Sequence, residues 1–275
     1  MLKKLLKYDF KAVIKYWWIA ALSSVALSLI GGWCITIFTN EKELPPALYI
    51  VATLLMIVVV LGFSAFAILS TILIFSRFYK NFFTDEGYLT FTLPVKRSSL
   101  LNSKLIVSTV MSSLTGIIIF IDIAAMLWFG LLKDLITPEE KQEFKEIMAE
   151  GYSLMGGYIF VYLFEIISLL ILLSVCSNLF MFICITVASI ITKKAKVLTA
   201  IAIYYFASSA VSFFVQIFYL FGLTSIDAWL TNLADNRECP ALALIMLSVI
   251  LLLAIFCGLF YALQYWLLDR KLNLS

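Results

Sequence analysis

The chain has 275 residues, 63% of them hydrophobic and only 13% charged, with a mean hydropathy of +1.05, where a soluble domain averages about 45–50% apolar and roughly 25% charged. One water-soluble domain of this length cannot bury that much apolar surface, so much of it must face lipid, and the expected fold class is an all-α polytopic membrane protein. The net charge of +3 includes no histidine, which excludes Ser-His-Asp and Cys-His catalysis, histidine zinc sites and histidine proton relays. No GxxxxGK[ST] phosphate loop is present either, so ATP is not bound in the usual way by this chain, and no cofactor or metal is expected on it.

Residues 1–16 predict an amphipathic elbow helix lying on the membrane. Leu2, Leu6, Phe10, Val13 and Trp17 share one face at helical spacing, and Lys3, Lys7, Lys11 and Lys15 recur every four residues beside it. Such a helix rests in the interface with its lysines toward anionic headgroups, membrane lipid being its partner, or it is simply a topology signal. It leads into an uncleaved first span, since no small-residue cleavage site follows. Six segments are apolar over the roughly 20 residues that a transmembrane helix needs: 17–38, 47–75, 105–132, 157–191, 197–223 and 241–268. The fourth, the longest, can instead be kinked or begin as a surface helix.

Residues 76–104 form a connection too long for a simple turn. Thr84 or Asp85 can cap a short helix over Asp85–Leu93 with acids in its first turn, Pro94 ends it, and Ser98 or Ser99 can start the next span. Exposed aromatics on such a helix suit a docking knob for a soluble partner, and suit an interfacial aromatic belt equally well.

The third span contains Asp122 and the fourth Glu165, each on the order of 12–15 Å below the outer surface at 1.5 Å per residue. Both spans lack a basic residue that would neutralise them. Acids in lipid mark a pathway or a paired site, so the two are candidates for a translocation cavity favouring cationic substrates. The alternative is that each stays protonated and bonds a neighbouring helix.

Between these spans, in the outer acidic loop 133–156, Thr137-Pro138-Glu139-Glu140 reads as a helix start, the helix running to about Glu150, with Gly156-Gly157 permitting a bend. A second outer loop, 224–240, suits a partly buried helix around Ile226–Leu233. Cys34 and Cys239 are the only cysteines placed to meet on the outer side.

Lys and Arg set the orientation. Fifteen lie on the N-terminal stretch, the 76–104 loop, the 192–196 turn and the C-terminal tail, against five in the alternate loops, which hold eleven of the seventeen acids. Both termini are therefore expected in the cytoplasm, and the slight basic excess reflects this asymmetry rather than nucleic-acid binding.

The run DEGYLTFTLPVKRSSLLNSKL (residues 85–105) resembles the first cytoplasmic loop of bacterial ABC type-2 permeases, and the ending DRKLNLS (Asp269–Ser275) is similar to the way those chains end. The resemblance implies the membrane subunit of an ATP-binding-cassette exporter in a bacterial cell membrane, itself no enzyme. Asp85, Glu86, Gly87, Tyr88, Leu89 and Phe91 would form the coupling helix that enters a cytoplasmic ATPase, and ATP and Mg would bind on that partner. Six spans would make half a pore, implying a homodimer or a sister permease. The cargo classes implied are antimicrobial peptides, lipids or hydrophobic drugs. A substrate-binding membrane module that shares a motor is the rival, and the large 76–104 loop argues against it. An intramembrane enzyme would have to use Asp122 and Glu165, which lack GxGD-type surroundings.

Overall fold

The computed structural model describes residues 2–39, 44–84, 87, 96–132, 138–192, 195–234 and 238–270. They form seven α-helices: α1 (Leu2–Thr39), α2 (Pro46–Phe83), α3 (Arg97–Leu127), α4 (Pro138–Met155), α5 (Tyr158–Ile191), α6 (Lys196–Ala234) and α7 (Glu238–Arg270). A π-helical turn over Trp128–Leu132 follows α3, and no strand occurs among the described residues. All but α4 are long and apolar enough to cross a membrane. The chain is thus an all-α protein with six membrane-length helices.

Most differences from the sequence expectation are helical extensions. The second membrane helix continues from Phe75 to Phe83, and the third begins at Arg97 rather than Leu105, with Lys96 accepting the amide of Ser99 at 2.9 Å. Hydropathy marks where lipid ends, whereas the backbone ladder continues through Ser76, Arg77 and Lys80. The α5 helix is uninterrupted over 34 residues. The α4 helix starts at Pro138, as its capping signal requires, and runs past Glu150 to Met155, where Gly156 at φ +49° leaves the helical path. Residues 226–233 are helical as the continuation of α6.

Residues 2–16 are not a separate elbow but the first four turns of α1, which is continuous to Thr39. No glycine or proline interrupts Leu2–Ile30. The apolar face expected on lipid is covered by protein: Val13, Trp17 and Ala21 pack with Phe66 and Ile74 of α2 and Val107 and Met111 of α3, with Leu6 and Phe10 alongside. The five lysines on this stretch remain exposed.

The chain divides into two units, the first Met1–Arg77 with Ile106–Ser153, the second Phe78–Leu105 with Leu154–Ser275. In lipid, packing and interhelical hydrogen bonds hold helices together rather than hydrophobic burial. The first unit shows both. Trp17 Nε1 donates to Thr115 Oγ1 at 2.9 Å, Ser70 Oγ lies 2.6 Å from the same oxygen, and Thr115 donates to the Met111 carbonyl at 2.8 Å. Since that hydroxyl has one hydrogen and it goes to Met111, Ser70 is the donor, and one threonine joins α1, α2 and α3. Further along, Gly31 and Gly32 of α1 lie against Met126 and Phe129, and Gly130 lies against Ile35. Cys34 is a free, buried thiol beside Ile37 and Ala52, so it forms no disulfide with Cys239, whose side chain lies outside the described residues.

In the second unit α5 packs on α6 and α7. Gln264 of α7 donates to Thr186 Oγ1 at 2.8 Å, and Thr186 donates to the Phe182 carbonyl at 2.8 Å. Phe180 of α5 meets Tyr204 of α6 and Phe260 of α7 through tilted ring contacts.

Candidate functional site: two acids inside the helices

Asp122 sits on α3 in the first unit with 1% of its surface exposed. Its hydrogen-bond partner is Ser24 of α1, whose hydroxyl also lies 2.9 Å from the Ala21 carbonyl. Ser28, one turn further on α1, is likewise buried and donates to Val25 at 2.8 Å. The other carboxyl oxygen, Asp122 Oδ2, is fully buried and has no hydrogen-bond partner among the described residues.

The helix register places this acid. Trp17 meets Thr115, and seven residues later on each helix Ser24 meets Asp122. Equal steps of seven in the same sense describe two parallel helices in heptad register. Ser24 was not among the sequence candidates. Once Trp17 is paired with Thr115, the seven-residue steps Trp17–Ser24 and Thr115–Asp122 bring the serine to the acid, a match that needs the register between the helices.

Glu165 lies on α5 in the second unit, 5% exposed, and its Oε2 also has no hydrogen-bond partner among the described residues. The sequence put the two acids at one depth on consecutive helices. The structure assigns each to its own unit and gives Asp122 a serine. Lys104, reckoned with the loop, is instead buried two turns into α3, because the helix starts eight residues earlier than hydropathy implied.

Each acid therefore offers an acceptor oxygen to which no described protein donor is supplied. Buried polar groups in native proteins nearly always have partners, and inside lipid an unpartnered carboxyl marks a site able to take up a donor. Among the described residues no three His, Cys, Asp or Glu side chains converge to hold a metal.

Of the coupling residues, Asp85, Glu86, Tyr88, Leu89 and Phe91 lie outside the described residues. Gly87 is buried, and its amide donates to the Thr84 carbonyl at 2.7 Å. A Cβ at Gly87 would stand 2.8 Å from the Phe82 carbonyl oxygen, so the backbone approach excludes any side chain there. A groove of about 340 Å³ on the first unit, lined by Phe38, Thr53, Met56, Ile57, Val60 and Leu61, is apolar and holds neither acid.

Compared with known proteins, the chain matches no family, no curated protein and no solved structure.

Proposed function

We propose that the chain is the permease subunit of an ATP-driven exporter of the ABC type-2 class. It moves an amphipathic substrate outward through a bacterial cell membrane, with both termini cytoplasmic, and works with a separate cytoplasmic ATPase and a second permease copy or sister. The substrate classes are an antimicrobial peptide, a lipid or a hydrophobic drug. The observation that carries this reading is the segment 85–105, similar to a permease coupling loop, which joins two membrane-length helices ending at Phe83 and starting at Arg97. A chain with six such helices and no phosphate loop needs its ATP chemistry supplied by another subunit.

The reading is tested by isolating the tagged chain from its native membrane and asking whether a soluble cassette ATPase accompanies it. Glu86→Ala with Tyr88→Ala should release that ATPase and leave the permease in the membrane. Retention at the parental level by this double variant would sink the coupling role of the segment.

Asp122 and Glu165 supply the second test. Asp122→Asn with Glu165→Gln keeps shape and polarity but removes both acids. Export, measured as the drug or peptide tolerance of cells carrying the chain, should fall roughly tenfold, the factor that about 1.4 kcal/mol of lost binding produces. Assembly should be unchanged, and undiminished export would refute a part for these acids in the translocation path.

A further inference from the structure

The last turns of α2 from Phe78 and the first turns of α3 to Leu105 belong to the second unit. Side chains on both flanks of the connecting segment hold them there. On the incoming side, the ring of Phe78 stacks on Phe182 of α5, with centroids 3.9 Å apart and planes 12° from parallel. Phe78 and Phe82, in ring contact at 5.0 Å, are both buried. On the outgoing side, Arg97 Nη1 donates to Asp269 Oδ1 at 2.7 Å and reaches the Asp269 carbonyl at 3.0 Å. A guanidinium thus sits on the last turn of α7, where helix carbonyls lack backbone partners and a cation is favoured. Five residues into α3, Asn102 Oδ1 accepts the Tyr261 hydroxyl at 2.8 Å. The two ties advance along α3 while receding along α7, so they fix these helix ends antiparallel at two separate levels.

We infer that α5–α7 is the body that receives the load from a protein bound between α2 and α3, and that Arg97, Asn102, Tyr261, Asp269 and Phe182 are the positioning residues that deliver it. This rests on the exporter reading above. A push on the connecting segment has the covalent route along α2 and α3 and the lateral route through these contacts. The change of unit falls between Arg77, paired with Asp9 of α1, and Phe78, stacked on α5. Phe78, Arg97 and Asn102, which make the lateral contacts, lie close in sequence to the segment on either side, so a push on it reaches α5–α7 through them. Arg97 and Asp269 are each half exposed, and an exposed pair alone is weak. The stacked ring and the tyrosine bond make the attachment stiff.

The test uses the full chain with its co-purified ATPase in lipid, followed by hydrogen exchange with and without a non-hydrolysable ATP analogue and Mg2+. Nucleotide should change exchange in residues 158–191 and 238–270. Arg97→Ala with Tyr261→Phe should shrink that change about threefold, the scale of a lost exposed ion pair and one hydrogen bond, with the ATPase still bound. Tyr261→Phe alone, which keeps the ring, should give a smaller loss. Arg97→Asp with Asp269→Arg should restore the response, because it leaves an acid at the start of α3 and a base at the end of α7. A nucleotide response confined to residues 2–77, or one of parental size in the Arg97→Ala, Tyr261→Phe chain, would overturn the inference and leave the exporter reading standing. Failure of the unaltered chain to retain any ATPase would overturn both.

Discussion

Replacing Arg77 with alanine should destabilise the first unit by about 3 kcal/mol, the usual cost of removing one partner of a buried ion pair. Asp9 is a carboxylate on a stretch otherwise studded with lysines, and it faces inward, its side chain 4% exposed. Arg77 Nε stands 3.6 Å from Asp9 Oδ1 and is itself about one-third exposed, at 32%. This pair ties the first turns of α1 to the last turns of α2 within the unit. At this chain length the loss corresponds to a fall in unfolding temperature of roughly 6–12 °C, readable from tryptophan emission in detergent. Removing both charges, Asp9→Leu with Arg77→Leu, should recover most of the loss, because apolar replacements of a buried pair are often neutral. A double variant as unstable as Arg77→Ala would show that the charges contribute a net attraction beyond mutual compensation.

Asp9 also illustrates what the sequence made legible. Runs of apolar residues long enough to span a bilayer located all six membrane helices, and the fourth and fifth begin within one residue of their expected starts. Helical periodicity put Leu6, Phe10, Val13 and Trp17 on one face, expected on lipid, and that face packs in the first unit. Periodicity does not say what covers a face, and here it is α2 and α3 rather than lipid. The inward acid at position 9 was the contrary signal, since a helix resting flat on headgroups has no cause to bury a carboxylate beside an arginine.

The acids show the same division. Asp122 and Glu165 were legible as ionisable groups in apolar runs, because lipid makes such residues costly. Their partners were not, since a hydrogen bond between α1 and α3 depends on register between segments about a hundred residues apart, information that no local pattern carries. The attachment of residues 97–102 to α7 was hidden for the same reason. Arg97 and Lys96 read as positive-inside charges, and their count fixes topology while remaining silent about which helix end a guanidinium will cap.

Gly130→Val should separate α1 from the turn that follows α3, and the cause lies in backbone distances. A Cβ at Gly130 would collide with the side chain of Ile35 and stand 3.1 Å from the Gly32 carbonyl oxygen. On the facing helix, a Cβ at Gly32 would stand 2.9 Å from Phe129 Cβ and 3.3 Å from the Met126 carbonyl oxygen. None of these obstacles is the free end of a flexible chain, so a rotamer change does not relieve them. Overpacking of this kind costs about 1–3 kcal/mol, and valine, which must also displace Ile35, belongs at the upper end. Gly116, on α3 in the same unit, has nothing within 4 Å of a Cβ, so Gly116→Ala should be neutral or stabilise by up to about 1 kcal/mol through helix propensity. Melting the two variants beside the parent separates close approach from a general intolerance of change at glycine. Gly32→Ala with Gly130→Ala should cost less than the sum of the single changes, because whichever is made first has already parted the helices at that level. Additive losses would place the two glycines at independent contacts and refute a shared close approach of α1 to the π-helical turn Trp128–Leu132, whose middle residue, Gly130, is pressed against Ile35.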